Sequence, residues 1–165
     1  MFKQTAALVI LGVSLLTTGC SDSDDGLAPT GPVALRAGTS TTFASIQPSV
    51  VSGRPTGLGG CPQVQPLRAL LNLNVRADDV DLLLREIRLQ FFDTGGLAAP
   101  TVTLPAPVMT TQFGTALVQA RSARSFALDF GFGCGTGRLG TIVVVVLAQD
   151  GRGRDHSSKL QVQVH

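Results

Sequence analysis

Apolar and polar residues alternate one by one along several stretches of this chain. In Arg68 to Arg76, RALLNLNVR, the residues Ala69, Leu71, Leu73 and Val75 share one face, opposite Arg68, Asn72, Asn74 and Arg76. In Ser125 to Phe132, SFALDFGF, Phe126, Leu128, Phe130 and Phe132 face one way and Ser125, Ala127, Asp129 and Gly131 the other. Lys159 to Val164, KLQVQV, repeats the pattern with Leu160, Val162 and Val164. A period of two predicts half-buried strands. Ile142 to Leu147, IVVVVL, is apolar on both faces, and its β-branched content predicts a central strand.

Val80 to Asp93, VDLLLREIRLQFFD, fits two periods. As a strand from Arg85 onward it turns Ile87, Leu89 and Phe91 inward and Glu86, Arg88 and Gln90 outward. As a helix it aligns Leu83, Ile87 and Phe91 on one stripe, and leucine and arginine suit a helix. The turn-like Asp93-Thr-Gly-Gly that follows, and strands on either side, favour the strand. Shorter strands are predicted at Phe43 to Val51, Thr101 to Leu104 and around Met109 to Phe113, with Pro100, Pro105 and Pro107 confining the middle of these to an edge. No helix is predicted. About seven strands separated by turn signals make an antiparallel β-sandwich. The final pair, TIVVVVLAQDGRGRDHSSKLQVQV, and the earlier REIRLQFFDTGG resemble the immunoglobulin-like domains of bacterial surface proteins over about residues 40 to 165. There is no Trp and no Tyr. Without the antibody hallmarks, the resemblance implies an immunoglobulin-like sandwich in the broad sense only.

The amino terminus follows a different logic. Lys3 precedes an apolar run from Ala6 to Leu16, then come small residues, Cys20 and an acidic stretch. That order reads as a secretory signal, and the run falls short of the roughly 20 apolar residues that span a bilayer. Leu15-Leu-Thr-Thr-Gly-Cys20 resembles the lipobox of bacterial lipoproteins, with Thr17 where that family usually has leucine. The resemblance implies cleavage after Gly19 and acylation of Cys20. A cysteine with three acyl chains would hold the protein stably on a membrane, at about 0.8 kcal/mol per buried CH2. Ser21, rather than Asp, follows Cys20; by the same resemblance this implies the outer membrane over the inner. Residues 1–19 are therefore expected to be a signal peptide, 20–40 an acylated cysteine and flexible tether, and 41–165 the sandwich domain. As a random coil the tether would span about 25 Å on average.

Charge is close to balanced, with 13 Lys and Arg against 11 Asp and Glu. No basic run interleaved with aromatics exists, which excludes a nucleic-acid footprint. Of three cysteines, lipid accounts for Cys20. Cys61 and Cys134 then form an even pair in an oxidising compartment, where a disulfide is expected, contributing about 4 kcal/mol in the loop-entropy account. Free thiols or a metal site are the alternatives, and two cysteines without nearby histidine make a poor zinc set.

Gly135-Thr-Gly-Arg-Leu-Gly140 matches the dinucleotide pattern G-x-G-x-x-G, and Asp155 stands where a ribose-binding acid would. The pattern works through a helix that follows the glycines, whereas Gly140 is followed by a predicted strand. No nucleotide or other cofactor is expected, and no Gly-Lys-Ser/Thr phosphate loop is present. The glycines instead serve a connection holding Cys134, and Cys61 lies in a second Gly-rich connection, so the disulfide is expected to pin two loops. His156, in GRGRDHSSK, reads as a solvated loop residue beside Asp155 and Ser157, and His165 as a frayed terminus. Adjacent loop residues do not make a catalytic triad, which draws on distant segments. Asp78, Asp79 and Asp81 read as a solvated turn, with calcium as the alternative. Catalytic residues are not identified. The expectation is a non-catalytic binding or scaffolding module of the cell envelope, contacting the membrane through its lipid and an envelope protein or glycan through loops or a sheet edge. The alternative is a periplasmic inhibitor or accessory subunit of an envelope enzyme or secretion complex.

Overall fold

The computed structural model describes residues 43–57, 61 and 64–165, and the backbone of residues 39–40. The expected signal peptide ending at Gly19, the expected acylation site Cys20 and nearly all of the expected tether lie outside the described residues. Five strands of ten to twelve residues carry the fold: β5 (Leu67–Arg76), β6 (Leu82–Asp93), β9 (Ala123–Phe132), β10 (Gly140–Asp150) and β11 (Asp155–Val164). Six short ones complete it: β1 (Thr39–Ser40), β2 (Ala44–Gln47), β3 (Val50–Val51), β4 (Arg54–Pro55), β7 (Val102–Pro105) and β8 (Leu117–Val118). One sheet runs β11-β10-β6, flanked by β1 and β3 on β11 and by β7 and β8 on β6. The second places β5 between β9 on one side and β2 and β4 on the other. The long pairs are antiparallel, and β10 is central, as its two apolar faces require.

The two inner faces form one core. Ala69, Leu71, Leu73 and Val75 of β5 are at most 1% exposed, and Phe126 through Phe132 of β9 bury every second residue. Opposite them lie Ile87, Leu89 and Phe91 of β6, Ile142, Val144 and Val146 of β10, and Val162 and Val164 of β11. Phe91 meets Phe132 across the core at 4.5 Å between ring centroids. Val145 points the other way and is still buried, between Arg88 and Lys159 on the neighbouring strands, whose aliphatic stems suit that role.

Three expectations are corrected. The segment around Met109 to Phe113 is not strand but the end of α1 (Ala106–Phe113). Pro105 and Pro107 sit at its start, where a missing N–H costs nothing, and Gly114 closes it in the left-handed region with φ 83°. Met109, on the inner side of the helix, is fully buried, and Phe113 meets Phe126 edge-on. Phe43 to Val51 is not one strand but two: β2 joins the smaller sheet, β3 joins the larger, and the chain changes sheet at Pro48. Finally, β1 and β3 both run parallel to β11, so the sandwich is not wholly antiparallel. The segment that fitted two periods is strand, with a bulge: Leu147 faces Glu86 while Ala148 faces Leu84, leaving Arg85 over. Inward positions therefore step from Leu84 to Ile87, and Leu83, the first residue of the helix-like stripe, points outward at 39% exposure.

Candidate functional site

The ends of the sandwich are built from different connections. At one end the β5–β6 loop (77–81) and the β10–β11 hairpin tip (151–154) border a cleft of about 350 Å³. Phe43, Arg76, Val80, Arg152, Arg154 and His156 line most of it, and the described lining holds no hydroxyl or thiol side chain.

Asp150 organises this end. It is the last residue of β10 and its side chain is fully buried. One carboxylate oxygen accepts the backbone N–H groups of Arg152 and Arg154, each at 2.9 Å. The other accepts Arg154 Nε at 2.8 Å and lies 3.1 Å from His156 Nε2. The Arg154 N–H bond acts most strongly on the carboxyl, and His156, the Arg154 guanidinium and the Arg152 N–H add to it. Together they outweigh desolvation and hold the acid far below the usual carboxylate range. A buried carboxylate with this many donors fixes the hairpin tip and leaves both arginine side chains at the cleft. Gly153, with φ 78°, provides the turn.

The facing loop is tied elsewhere. Asp81 accepts the Ala120 N–H at 2.7 Å, its carbonyl accepts the Gly151 N–H at 2.9 Å, and Asp79 lies 3.4 Å from Arg121. Of the three acids predicted as a solvated turn, Asp78 and Asp79 are exposed, and Asp81 fastens this loop to the 119–122 connection and, through its carbonyl, to the hairpin. Among the described residues no three His, Cys, Asp or Glu side chains come together as a metal set. His156 is not a solvated loop residue: its side chain is 16% exposed, it belongs to β11, and it meets Phe43 edge-on at 6.3 Å. Asp155 opens the same strand, on the exposed side, within reach of Gln149. The His165 N–H is bonded to the Val51 carbonyl at 3.0 Å. Asp150 was missed by sequence reasoning. The signal for it was present, since a hairpin ending D-G-R-G-R-D-H offers an Asx-type carboxylate to the N–H groups two and four residues on.

The opposite end carries the glycine-rich segment. A disulfide joins Cys61 and Cys134 with Cα atoms 5.6 Å apart, between two loops as expected. The Cys134 N–H donates to Gln65 Oε1 at 3.0 Å. Asp93 accepts the N–H groups of Gly95, Leu97 and Gly137 at 2.8–2.9 Å. Gly137 lowers its pKa most, followed by Leu97. Gly140 starts β10 directly, so the element after G-x-G-x-x-G is strand. A Cβ at Gly140 would stand 2.0 Å from the Phe92 carbonyl oxygen, which is why glycine occurs there.

No family model matches the chain, and no curated protein matches it. Solved structures do resemble it. Target SoR45 of the Northeast Structural Genomics Consortium aligns with TM-score 0.49 and 10% identity over 73% of this chain and 83% of that one. The superoxide reductase (neelaredoxin) of Ignicoccus hospitalis aligns with TM-score 0.36 and 13% identity, over 74% and 80% of the two chains. The sporulation control protein Spo0M of Bacillus subtilis gives TM-score 0.35 and 13% identity, over 74% and 47%. The likeness is a distant one, of β-sandwich domains. It transfers no site residue.

Proposed function

We propose that the protein is a lipid-anchored module of the bacterial cell envelope, held at Cys20 after cleavage behind Gly19, most simply on the outer membrane. It binds an envelope protein or glycan without catalysis, through the cleft between the 77–81 and 151–154 connections. The observation that carries this reading is the fixing of Arg152 and Arg154 by the buried Asp150 carboxylate. Two arginines on a preordered hairpin, beside Phe43 and Arg76, are a surface suited to recognition, because arginine and aromatic groups dominate binding hot spots. In the immunoglobulin-like arrangement these connections lie at the end that carries binding loops in variable domains. The Cys61–Cys134 disulfide fits an oxidising compartment, as the signal-like start does.

The test combines two measurements on cells. The intact mass of membrane-purified protein should match a chain beginning at Cys20 with acyl groups added. A photo-crosslinking residue placed at Arg152 should capture a discrete partner, and the same residue at Leu139, at the opposite end, should not. Retention of residues 1–19 refutes the anchor. Equal capture from both positions, or none from Arg152, refutes the cleft. A single stoichiometric enzyme captured at Arg152 would select the inhibitor or accessory-subunit reading.

A further inference from the structure

Three margins of the two sheets are broken into short pieces. Among the described residues, β11 is edged by the two-residue β1 and β3, β6 by β7 and β8, and the far side of β5 by β2 and β4, none longer than four residues. Pro48 interrupts the first segments, Pro55 ends β4, and Pro105 ends β7. Short edges and prolines are the usual means of preventing strand addition. The fourth margin is β9. It has ten residues, contains no proline or lysine, shows no register shift against β5, and β5 is its only strand partner among the described residues. Helix α1 reaches it near its start, where Arg124 donates to the Phe113 carbonyl at 2.7 Å. The outward side chains of β9 are Ala123, Ser125, Ala127, Asp129 and Gly131, all small enough to let another strand approach.

We propose that β9 pairs antiparallel with β9 of a second copy of this chain, joining two smaller sheets across a two-fold axis. Such an axis requires each residue to face one of the same parity, so inward positions meet inward ones. Centred on Ala127, the pairing sets Ala127 against itself, Ala123 against Gly131 and, twice, Ser125 against Asp129. Ser125, which donates to Asn74 Oδ1, then stands opposite Asp129, which accepts Arg68 Nε at 2.9 Å, at both symmetric places, and no like charges oppose each other. This self-complementarity is the reason for choosing a second copy over a foreign strand. The proposal is independent of the anchor and of the cleft.

The register makes a specific test possible. Directly opposed antiparallel residues have Cα atoms about 4.5–5.5 Å apart, within disulfide reach. Purified full-length protein carrying Ala127→Cys should form a disulfide-linked dimer under mild oxidation. Asn72→Cys, equally outward on β5 but one strand further from the axis, should remain monomeric. Added to Ala127→Cys, Ser125→Lys should raise the yield by facing Asp129, and Ser125→Asp should lower it. Both remove the same hydroxyl, so a merely structural effect would move them together. The proposal is overturned if folded Ala127→Cys gives no linked dimer, if Asn72→Cys links equally, if the Lys and Asp variants behave alike, or if Ala127→Cys links in cells to another protein.

Discussion

At each end of the sandwich an aspartate at the close of a long strand accepts backbone N–H groups from the chain beyond it. Asp93 binds Gly95, Leu97 and Gly137, and Asp150 binds Arg152 and Arg154. The difference lies in what else holds each end. The Asp93 end has the Cys61–Cys134 disulfide, which closes a span of 73 residues. Among the described residues the Asp150 end has no disulfide and is held by hydrogen bonds, ion pairs and the Phe43–His156 ring contact. Glycine-rich loops cannot order themselves, because each glycine loses the most backbone freedom on folding, so that end carries the covalent staple. The Asp150 end orders a tight hairpin of two arginines with charge. A staple resists acid and denaturant alike, whereas a carboxylate network holds only while it is ionised. The proposed binding surface is thus at the end whose carboxylate network has no covalent staple behind it.

The largest expected effect tests the staple. Cys134→Ser should cost about 4 kcal/mol by the loop-entropy account, read as a lower denaturation midpoint. Amide exchange should rise around Gly133–Gly137 and stay level at Arg152 and Arg154. Uniform loosening of both ends would show that the ends are not independent.

Gly140→Ala should come next. Its Cβ would collide with the Phe92 carbonyl, so β10 must part from β6, at about 1–3 kcal/mol. Gly135→Ala meets nothing within 4 Å and incurs only the cost of φ 75°, about 1–2 kcal/mol. If the order of the two is reversed, close strand approach is not what Gly140 provides.

A smaller and more local effect is expected at the cleft. Asp150→Asn keeps the shape but loses the charge and one acceptor. Exchange at Arg152 and Arg154 should quicken, and crosslinking from Arg152 should fall, with little change at Gly137. Unchanged exchange at the hairpin would remove Asp150 as its organiser.

The sequence displayed the long strands because their inner faces alternate without interruption, as in β5 and β9. It concealed α1 because proline carries two meanings: at 105 and 107 it reads as a strand breaker, yet it also fits a first helical turn, and only Gly114 at the far end distinguishes them. It blurred β6 because the outward Leu83 falls four residues before Ile87 and completes a helical spacing with Phe91, although it never joins the core. The loop cysteines were visible as an even pair. The cleft was not, since Asp150 and His156 acquire their meaning from a turn that brings strand ends together, and Phe43 arrives from far earlier in the chain.

The last prediction uses the difference between the ends most directly. An ordinary aspartate titrates near 3.9, and Asp93 and Asp150 both titrate lower in the folded protein. Each therefore adds stability that is complete above about pH 5 and is lost as pH falls through 4 toward the folded value. Both ends weaken on acidification, but only one retains a covalent bond. Between pH 5 and pH 2 the thermal midpoint should fall, and amide exchange at Arg152 and Arg154, corrected for its intrinsic pH dependence, should gain on that flanking Cys134. Reduction of the disulfide should abolish that difference, leaving the two ends to loosen together. A midpoint flat across this range would show that neither carboxylate contributes through its charge. If instead exchange at the Cys134 end gained with its disulfide intact, the staple would not be what distinguishes the two ends.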